Sequence, residues 1–222
     1  MKTLKTILIT LLFAGFSTIT NATVKGGVTI TGLDAEGMGK EMSRGAQQTR
    51  QETVQGAFYS IFIEKGFDTP IGTMSIGLDV SPYDIADGAV ANERSGTNGA
   101  VLQTNTADIS VTENYGAYLS MGLGDTGAYI RAMVSSHNLS VDKTNIKNGD
   151  VTQTNSTYPD VDFLGGHVSV GYEKDLGNLF IRGEVGRSEY EKVISKSSTG
   201  NTTVSAQISN GTHARLSIGK AF

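Results

Sequence analysis

Apolar and polar residues alternate along most of the chain with a period of two. In the clearest run, Met74, Ile76, Leu78 and Val80 are separated by single small or polar residues. Successive side chains of a strand point to opposite faces of a sheet, so this pattern predicts a strand with one apolar face. Eight such runs are found, and they cover residues 24–33, 55–65, 73–80, 109–123, 128–135, 163–173, 179–186 and 212–222.

The connections between these runs alternate in length. Three are short turns, around 66–70, 124–127 and 175–178, and four are long and polar, around 34–53, 81–106, 141–160 and 190–206. This is the plan of the smallest outer-membrane barrels, with short turns at the periplasmic rim and long loops outside the cell. Each run is close to the length that a tilted strand needs to cross a bilayer. The sequence therefore predicts an all-β fold, an eight-stranded antiparallel transmembrane up-and-down β-barrel.

The last run is the expected closing strand of this barrel. Leu216, Ile218 and Phe222 share one parity, and Phe222 is the final residue. This pattern resembles the C-terminal signal of bacterial outer-membrane β-barrels, although Lys220 stands where that family usually carries an apolar residue. The resemblance implies that Leu216, Ile218 and Phe222 form a C-terminal insertion signal read by the barrel-insertion machinery. We expect the strand to pair with the first run, 24–33, since closure leaves no edge in lipid.

Motifs elsewhere in the chain support the same family. Ile63-Glu64, Gly77-Leu78-Asp79, the turn 122–127 and the segment 182–186 are similar to small barrels of marine bacteria, and the similarity covers most of the mature chain. It implies an OmpA- or OmpX-like β-barrel of a Gram-negative cell outer membrane and no particular reaction.

The first 22 residues have the composition of a secretory signal peptide. Lys2 and Lys5 form a basic start, an apolar stretch follows, and Thr20-Asn21-Ala22 supplies small residues for cleavage. An apolar stretch of about ten residues is too short to span a bilayer as a helix. We therefore divide the chain into a signal peptide, 1–22, and an outer-membrane β-barrel domain, 23–222.

Composition and charge narrow the functional classes. The chain has 28 Gly but only 3 Pro and no Cys, so strands and turns are favoured and no disulfide can support the exported fold. Its 22 acidic residues outnumber its 18 basic ones. This balance argues against a nucleic-acid partner, which would require a basic patch.

Charged residues also occur on the parity opposite to the apolar one, which faces the lumen of the predicted barrel. An eight-stranded barrel is just wide enough for side chains to fill, and buried charges must pair there. We therefore expect a barrel-interior charge network of four acids and four bases, namely Lys25, Glu64, Asp79, Arg131, Glu173, Arg182, Glu184 and Arg215. It could serve as an ion path or gate, but a packed plug of salt bridges is the favoured interpretation.

Three chemical sites were considered for this sequence. The G-x-G-x-x-G match at 122–127 is followed by strand alternation instead of a helix, so a hairpin is favoured over a dinucleotide site. His167, Ser169 and Glu173 suggest an esterase, but Glu173 is about 16–20 Å from His167 along a strand. His137 and His213 lack an acid or thiol at ligand spacing. We therefore predict no catalytic residues, no metal, no cofactor and no enzymatic activity.

The leading hypothesis is an integral outer-membrane barrel with a structural or surface-interaction role and at most narrow passive permeability. Its expected partners are outer-membrane lipids and the insertion machinery, and the long loops offer a place for an extracellular ligand. A small porin-like channel for small solutes is the first alternative. A soluble exported ligand-binding β-barrel is the second, and it would require an apolar interior and a polar exterior.

Overall fold

The computed structural model describes residues 23–43, 46–70, 72–84, 86–95, 102–147, 150–152, 157–198 and 202–222. The predicted signal peptide, 1–22, lies outside the described residues. Within the ranges that the structure describes, no helix has the length and apolar character of a membrane span.

The described residues form eleven strands and one short 3₁₀ turn, Gly124–Thr126. The strands are β1 (Thr23–Ser43), β2 (Ala46–Thr69), β3 (Gly72–Ser81), β4 (Ala86–Ser95), β5 (Leu102–Gly122), β6 (Ala128–Lys147), β7 (Asp150–Thr152), β8 (Val161–Leu176), β9 (Leu179–Tyr190), β10 (Val193–Lys196) and β11 (Thr202–Ala221).

Eight of these strands close into a ring. Their order around the wall is β1, β2, β3, β5, β6, β8, β9 and β11, and every neighbouring pair is antiparallel. β11 closes the ring against β1, with Ile218 opposite Val28 and Leu216 opposite Ile30. The predicted eight-stranded antiparallel barrel, closed by its first and last strands, is confirmed.

The four long polar segments were expected to be loops, and for much of their length this expectation is wrong. β1 and β2 remain paired as far as Ser43 and Ala46. β4, β7 and β10 pair with the outer parts of β5, β6 and β11. We call these paired segments beyond the barrel wall the outer extensions. Their sequence lacks alternation because a hairpin with water on both faces needs no apolar side.

Backbone irregularities mark where the barrel wall passes into the outer extensions. The register of β1 against β11 shifts between Asp34 and Glu36. The register of β5 against β6 shifts between Thr112 and Tyr115, and Glu113 there has a φ of 51°. Such bulges bend a strand and increase its twist, so they redirect the hairpins at the rim of the barrel.

The two faces of the wall have opposite character. Outside, Ile61, Val168 and Leu216 are among many large apolar side chains that are more than half exposed. Inside, polar and charged side chains are buried together with a few aromatic rings such as Phe180. This is the reverse of the distribution expected for a soluble ligand-binding barrel, and it matches a barrel whose solvent is lipid.

Candidate functional site

The inner part of the lumen, toward the short turns, holds six charged side chains from five strands, and we call this group the ion-pair cluster. All lie on the inward parity, where the alternation of each strand directs them. The cluster consists of Lys25 on β1, Glu64 on β2, Arg131 on β6, Glu173 on β8, and Arg182 and Glu184 on β9.

Glu64 lies at the centre of the ion-pair cluster and is fully buried. Arg182 donates two hydrogen bonds to its carboxylate, with Nη1–Oε2 at 3.0 Å and Nη2–Oε1 at 2.7 Å. Tyr118 donates its hydroxyl to Oε2 at 2.8 Å. The paired geometry matches the planar guanidinium to the planar carboxylate, which is the strongest arrangement that these groups form.

The remaining members extend the ion-pair cluster in both directions. Arg182 also contacts Glu173, which in turn pairs with Lys25 near the rim. Arg131 donates Nη1 to Glu184 Oε1 at 2.6 Å, and its Nη2 lies 3.8 Å from Glu64. Apart from Arg182–Glu173, which joins the neighbouring strands β8 and β9, these pairs join strands that are two or three positions apart in the wall, so they cross the lumen.

A separate pair lies beyond the cluster. Arg215 on β11 contacts the Asp79 carboxylate on β3, and its Nη1 lies 3.7 Å from the sulfur of Met133. The structure therefore brings all eight predicted charges into the lumen, in two groups whose charges balance. Balance is required because an unpaired charge at such a site would be strongly destabilising.

Aromatic rings fill the space around these charges, opposite glycines. The Arg131 guanidinium carbon lies 4.2 Å from the centre of the Tyr118 ring. Tyr118 occupies the place of a side chain at Gly77, where an added Cβ would lie 2.2 Å from the ring. Gly171 leaves room for the Tyr129 ring in the same way, with 2.5 Å to an added Cβ. The inner lumen is therefore packed with side chains.

The outer part of the lumen contains a chain of hydrogen bonds built on histidines. We call it the histidine belt. It runs from Asn114 Oδ1 to His137 Nδ1 (2.6 Å), His137 Nε2 to Ser135 Oγ (2.7 Å), Ser135 Oγ to His167 Nε2 (2.7 Å), His167 Nδ1 to Ser188 Oγ (2.8 Å), and Ser188 Oγ to His213 Nδ1 (2.8 Å).

Sequence reasoning did not connect these histidines. No metal or esterase partner lies at a suitable distance from these histidines along the chain. In the folded barrel His167 and His213 bond to serines on neighbouring strands, whereas His137 bonds to Ser135 on its own strand and to Asn114 on β5. The only feature of the sequence that could have indicated such a bond is that Ser135 and His137 share the inward parity of one strand.

The three residues of the esterase hypothesis have separate partners. His167 bonds to the two belt serines, whereas Ser169 donates to Glu184 at 3.0 Å. Glu173 pairs with Lys25 and Arg182 in the ion-pair cluster. Among the described residues, no group of three or more His, Cys, Asp or Glu is placed to hold a metal ion.

A cavity of about 30 Å³ lies beside the histidine belt and the Asp79–Arg215 pair. Its lining includes Asp79, Arg215, His213, Phe58 and Thr31. The volume is enough for a water molecule or two, and the polar lining offers the partners that a buried water needs.

The closed ring, apolar outer surface and polar lumen together decide the class of protein. The chain is an integral outer-membrane β-barrel.

Comparison with known proteins adds little to this assignment. No family model matches the chain, and none of the curated proteins does. The solved structure of the outer-membrane protein OprG from Pseudomonas aeruginosa is similar over 90% of this chain and 95% of its own, with 11% identity and a TM-score of 0.48. Ail of Yersinia pestis is similar over 89% of this chain and 98% of its own, with 7% identity and a TM-score of 0.37. The assignment therefore depends on the ring of strands itself.

The predicted insertion signal lies on the outer face of β11. Leu216 and Ile218 are about half exposed, and the Phe222 side chain is 76% exposed. The backbone still fixes the end of the strand, because the Phe222 N–H donates to the Val24 carbonyl at 2.9 Å. Three apolar side chains are therefore available to lipid on this strand of the barrel.

Proposed function

We propose that this barrel is closed and has a structural or surface-interaction role, with at most narrow passive permeability. The observation that carries the proposal is the ion-pair cluster, in which Glu64, Arg131, Arg182 and Glu184 are nearly fully buried and cross the lumen. Moving an ion past them would require separating charges that have little water to replace their partners.

The size of the interior supports the same proposal. Eight strands enclose a space that side chains fill, whereas an aqueous channel requires a barrel with many more strands. The cavity beside Arg215 measures about 30 Å³, which is the volume of a water or two. A hydrated ion or a sugar needs considerably more room.

The outer extensions support a role at the cell surface. Four hairpin connections lie at the end of the barrel opposite to the short turns, and they continue as paired strands beyond the wall. Backbone pairing gives these extensions a defined course beyond the wall, which favours contact with another molecule. We place the extracellular ligand of this proposal at these extensions, outer-membrane lipids around the wall, and the insertion machinery at Leu216, Ile218 and Phe222.

Conductance across a planar bilayer tests the closed barrel. The refolded wild-type chain is compared with a double variant, Glu64→Ala with Arg182→Ala, which removes one matched pair and leaves Arg131 with Glu184 and Lys25 with Glu173. We expect no steady conductance from the wild type and a small conductance from the double variant. Equal, steady conductance from both proteins would contradict the proposal and favour a porin-like channel.

A further inference from the structure

The histidine belt has a regular relation to the barrel wall. Its residues come from β5, β6, β8, β9 and β11, which are consecutive neighbours in the ring. The chain contains three histidines, and all three belong to the belt. Unlike the ion-pair cluster, which crosses the lumen, the belt therefore ties adjacent strands around more than half of the wall.

Asn114 fixes the direction of the first hydrogen bonds. Its Nδ2 lies 3.3 Å from the carbonyl oxygens of Tyr83 and Val111, which can only accept, so its Oδ1 faces His137. His137 must then donate from Nδ1 and, when neutral, accept at Nε2. The Ser135 hydroxyl donates to that Nε2 at 2.7 Å.

The same logic fixes the rest of the belt. Because the one hydroxyl proton of Ser135 is used, His167 donates from Nε2 and accepts at Nδ1. The Ser188 hydroxyl donates to that Nδ1 and accepts from Nδ1 of His213. Three neutral histidines therefore satisfy every hydrogen bond of the belt, with the proton on Nδ1, Nε2 and Nδ1 in turn.

A proton added to His137 or His167 breaks this order. On His137 it would occupy Nε2, and the Ser135 hydroxyl would have to turn away toward the Gly165 carbonyl, which is 3.5 Å distant. On His167 it would occupy Nδ1 and displace the hydroxyl of Ser188. Two charged imidazoles would also repel each other, since the rings of His167 and His213 are 5.9 Å apart.

The surrounding charges are mixed and do not supply a counter-ion for each histidine. The titratable or charged side chains that face the belt are Arg215 on β11, Arg131 on β6, Asp79 on β3, and Glu184 and Tyr190 on β9. β1 and β2 contribute only Thr31, Leu33 and Phe58 to the adjoining cavity. Asp79 and Glu184 already pair with arginines.

We propose that the histidine belt is a pH-operated latch on the outer half of the barrel. At neutral pH the unbroken belt holds five strands of the wall together, and protonation in acid releases them. The release loosens the rim where the outer extensions begin, because Asn114 ties the belt to Tyr83 and to the bulge in β5. The proposal goes beyond a closed barrel and does not require the lumen to conduct.

Nitrogen NMR of the whole refolded barrel in lipid nanodiscs tests the neutral state of the belt. With ¹⁵N-labelled histidine, every histidine signal reports on the belt because the chain has no others. Near pH 8 we expect two Nδ1–H tautomers, for His137 and His213, and one Nε2–H tautomer, for His167. On further titration into acid, down to about pH 3, we expect imidazolium signals to replace them. A different tautomer pattern, or histidines that stay neutral throughout, would overturn the latch.

Hydrogen exchange tests the release. After correction for intrinsic rates, amides of β6, β8 and β9 near the belt should exchange about tenfold faster at about pH 3 than near pH 8, the effect of losing one hydrogen bond. Ser135→Ala should exchange faster already at neutral pH and lose most of this acid response.

Ser60→Ala is the matched control for that variant. Ser60 is a buried lumen serine whose hydroxyl meets no hydrogen-bond partner within the part of the chain that the structure describes. The Ser60→Ala variant should retain the wild-type acid response, since acidic groups elsewhere in the barrel titrate alike in both variants. An acid response of equal size in Ser135→Ala and Ser60→Ala would exclude the belt as its origin. Conductance of the wild type at neutral pH would contradict the closed barrel and leave these results unaffected.

Discussion

The two faces of each strand differ in how specific their contacts are. On β9, Leu179, Ile181 and Val185 face outward and are 48%, 41% and 61% exposed, whereas Arg182 and Glu184 face inward and are each 4% exposed. The outward residues need only be apolar, because lipid chains present no fixed partner. Arg182 and Glu184, by contrast, each have a particular partner at a particular distance. One backbone thus combines a tolerant surface with a lumen in which most substitutions leave a polar group unpaired.

The largest effect should come from breaking the ion-pair cluster at its centre. Glu64→Ala removes the carboxylate that Arg182 and Tyr118 both contact. We expect the free energy of unfolding to fall by about 3–5 kcal/mol, because a buried guanidinium loses its main partner. Urea unfolding in lipid vesicles measures it. Glu189→Ala, at an exposed position of the same wall, should change stability by less than about 0.5 kcal/mol.

A charge placed on the lipid-facing side of the wall should have the next largest effect on stability. Ile76→Arg places a guanidinium among lipid chains and should cost about 2–4 kcal/mol near the bilayer midplane. Ser75→Thr, on the inward face of the same strand, should be mild. The folding yield in vesicles compares the two. If Arg were tolerated equally at 75 and 76, the assigned faces would be wrong.

Removing the hydroxyl of one tyrosine on each face should compare the stability contributions of the two faces without changing the shape of either side chain. Tyr118→Phe keeps the ring over Arg131 but loses the 2.8 Å bond to Glu64, so we expect a loss of about 1.5–3 kcal/mol. Tyr59 is 63% exposed on the outward face. In the same assay, Tyr59→Phe should have little effect on the unfolding midpoint. Equal effects would show that the inner hydroxyl bond contributes nothing to stability.

Shortening an outer extension should reduce the stability of the barrel less than the substitutions above. Deletion of 88–100 removes most of β4, which pairs with β5 alone among the described strands and lies outside the ring. Exposed connections tolerate changes in length, so we expect a change in stability of about 1 kcal/mol or less. The heat-induced shift of the folded band on a gel should remain. A chain that no longer folds would mean that this extension is part of the barrel core.

The smallest effect on refolding should follow removal of Phe222. Its side chain is 76% exposed, so little packing is lost, and we expect the unfolding free energy to change by less than about 1 kcal/mol. Assembly in cells should nevertheless fall strongly if the insertion machinery reads this residue. The amount of protein in isolated outer membranes measures this. Normal amounts of the truncated chain there would contradict the insertion signal.

The sequence alone determined the faces of the wall and the number of strands in the ring. Alternation is local, because each residue of a strand reverses the direction of its side chain. It therefore predicted that Glu64, Arg182 and His167 point inward, without any knowledge of their partners. It failed at 34–53 and 81–106 for the same reason, since strands with water on both faces carry no alternating signal.

Only the tertiary structure decided which inward residues meet. Glu64 and Arg182 are 118 residues apart in the chain, and His137 reaches His167 through Ser135 on its own strand. Such contacts depend on how far each strand is staggered against the next and on where the ring closes. The stagger is set by the hydrophobic pattern and the turns of all strands together, and by the shear that closure of the ring imposes. The pairing of charges and the histidine belt are therefore properties of the closed ring, which no single strand contains.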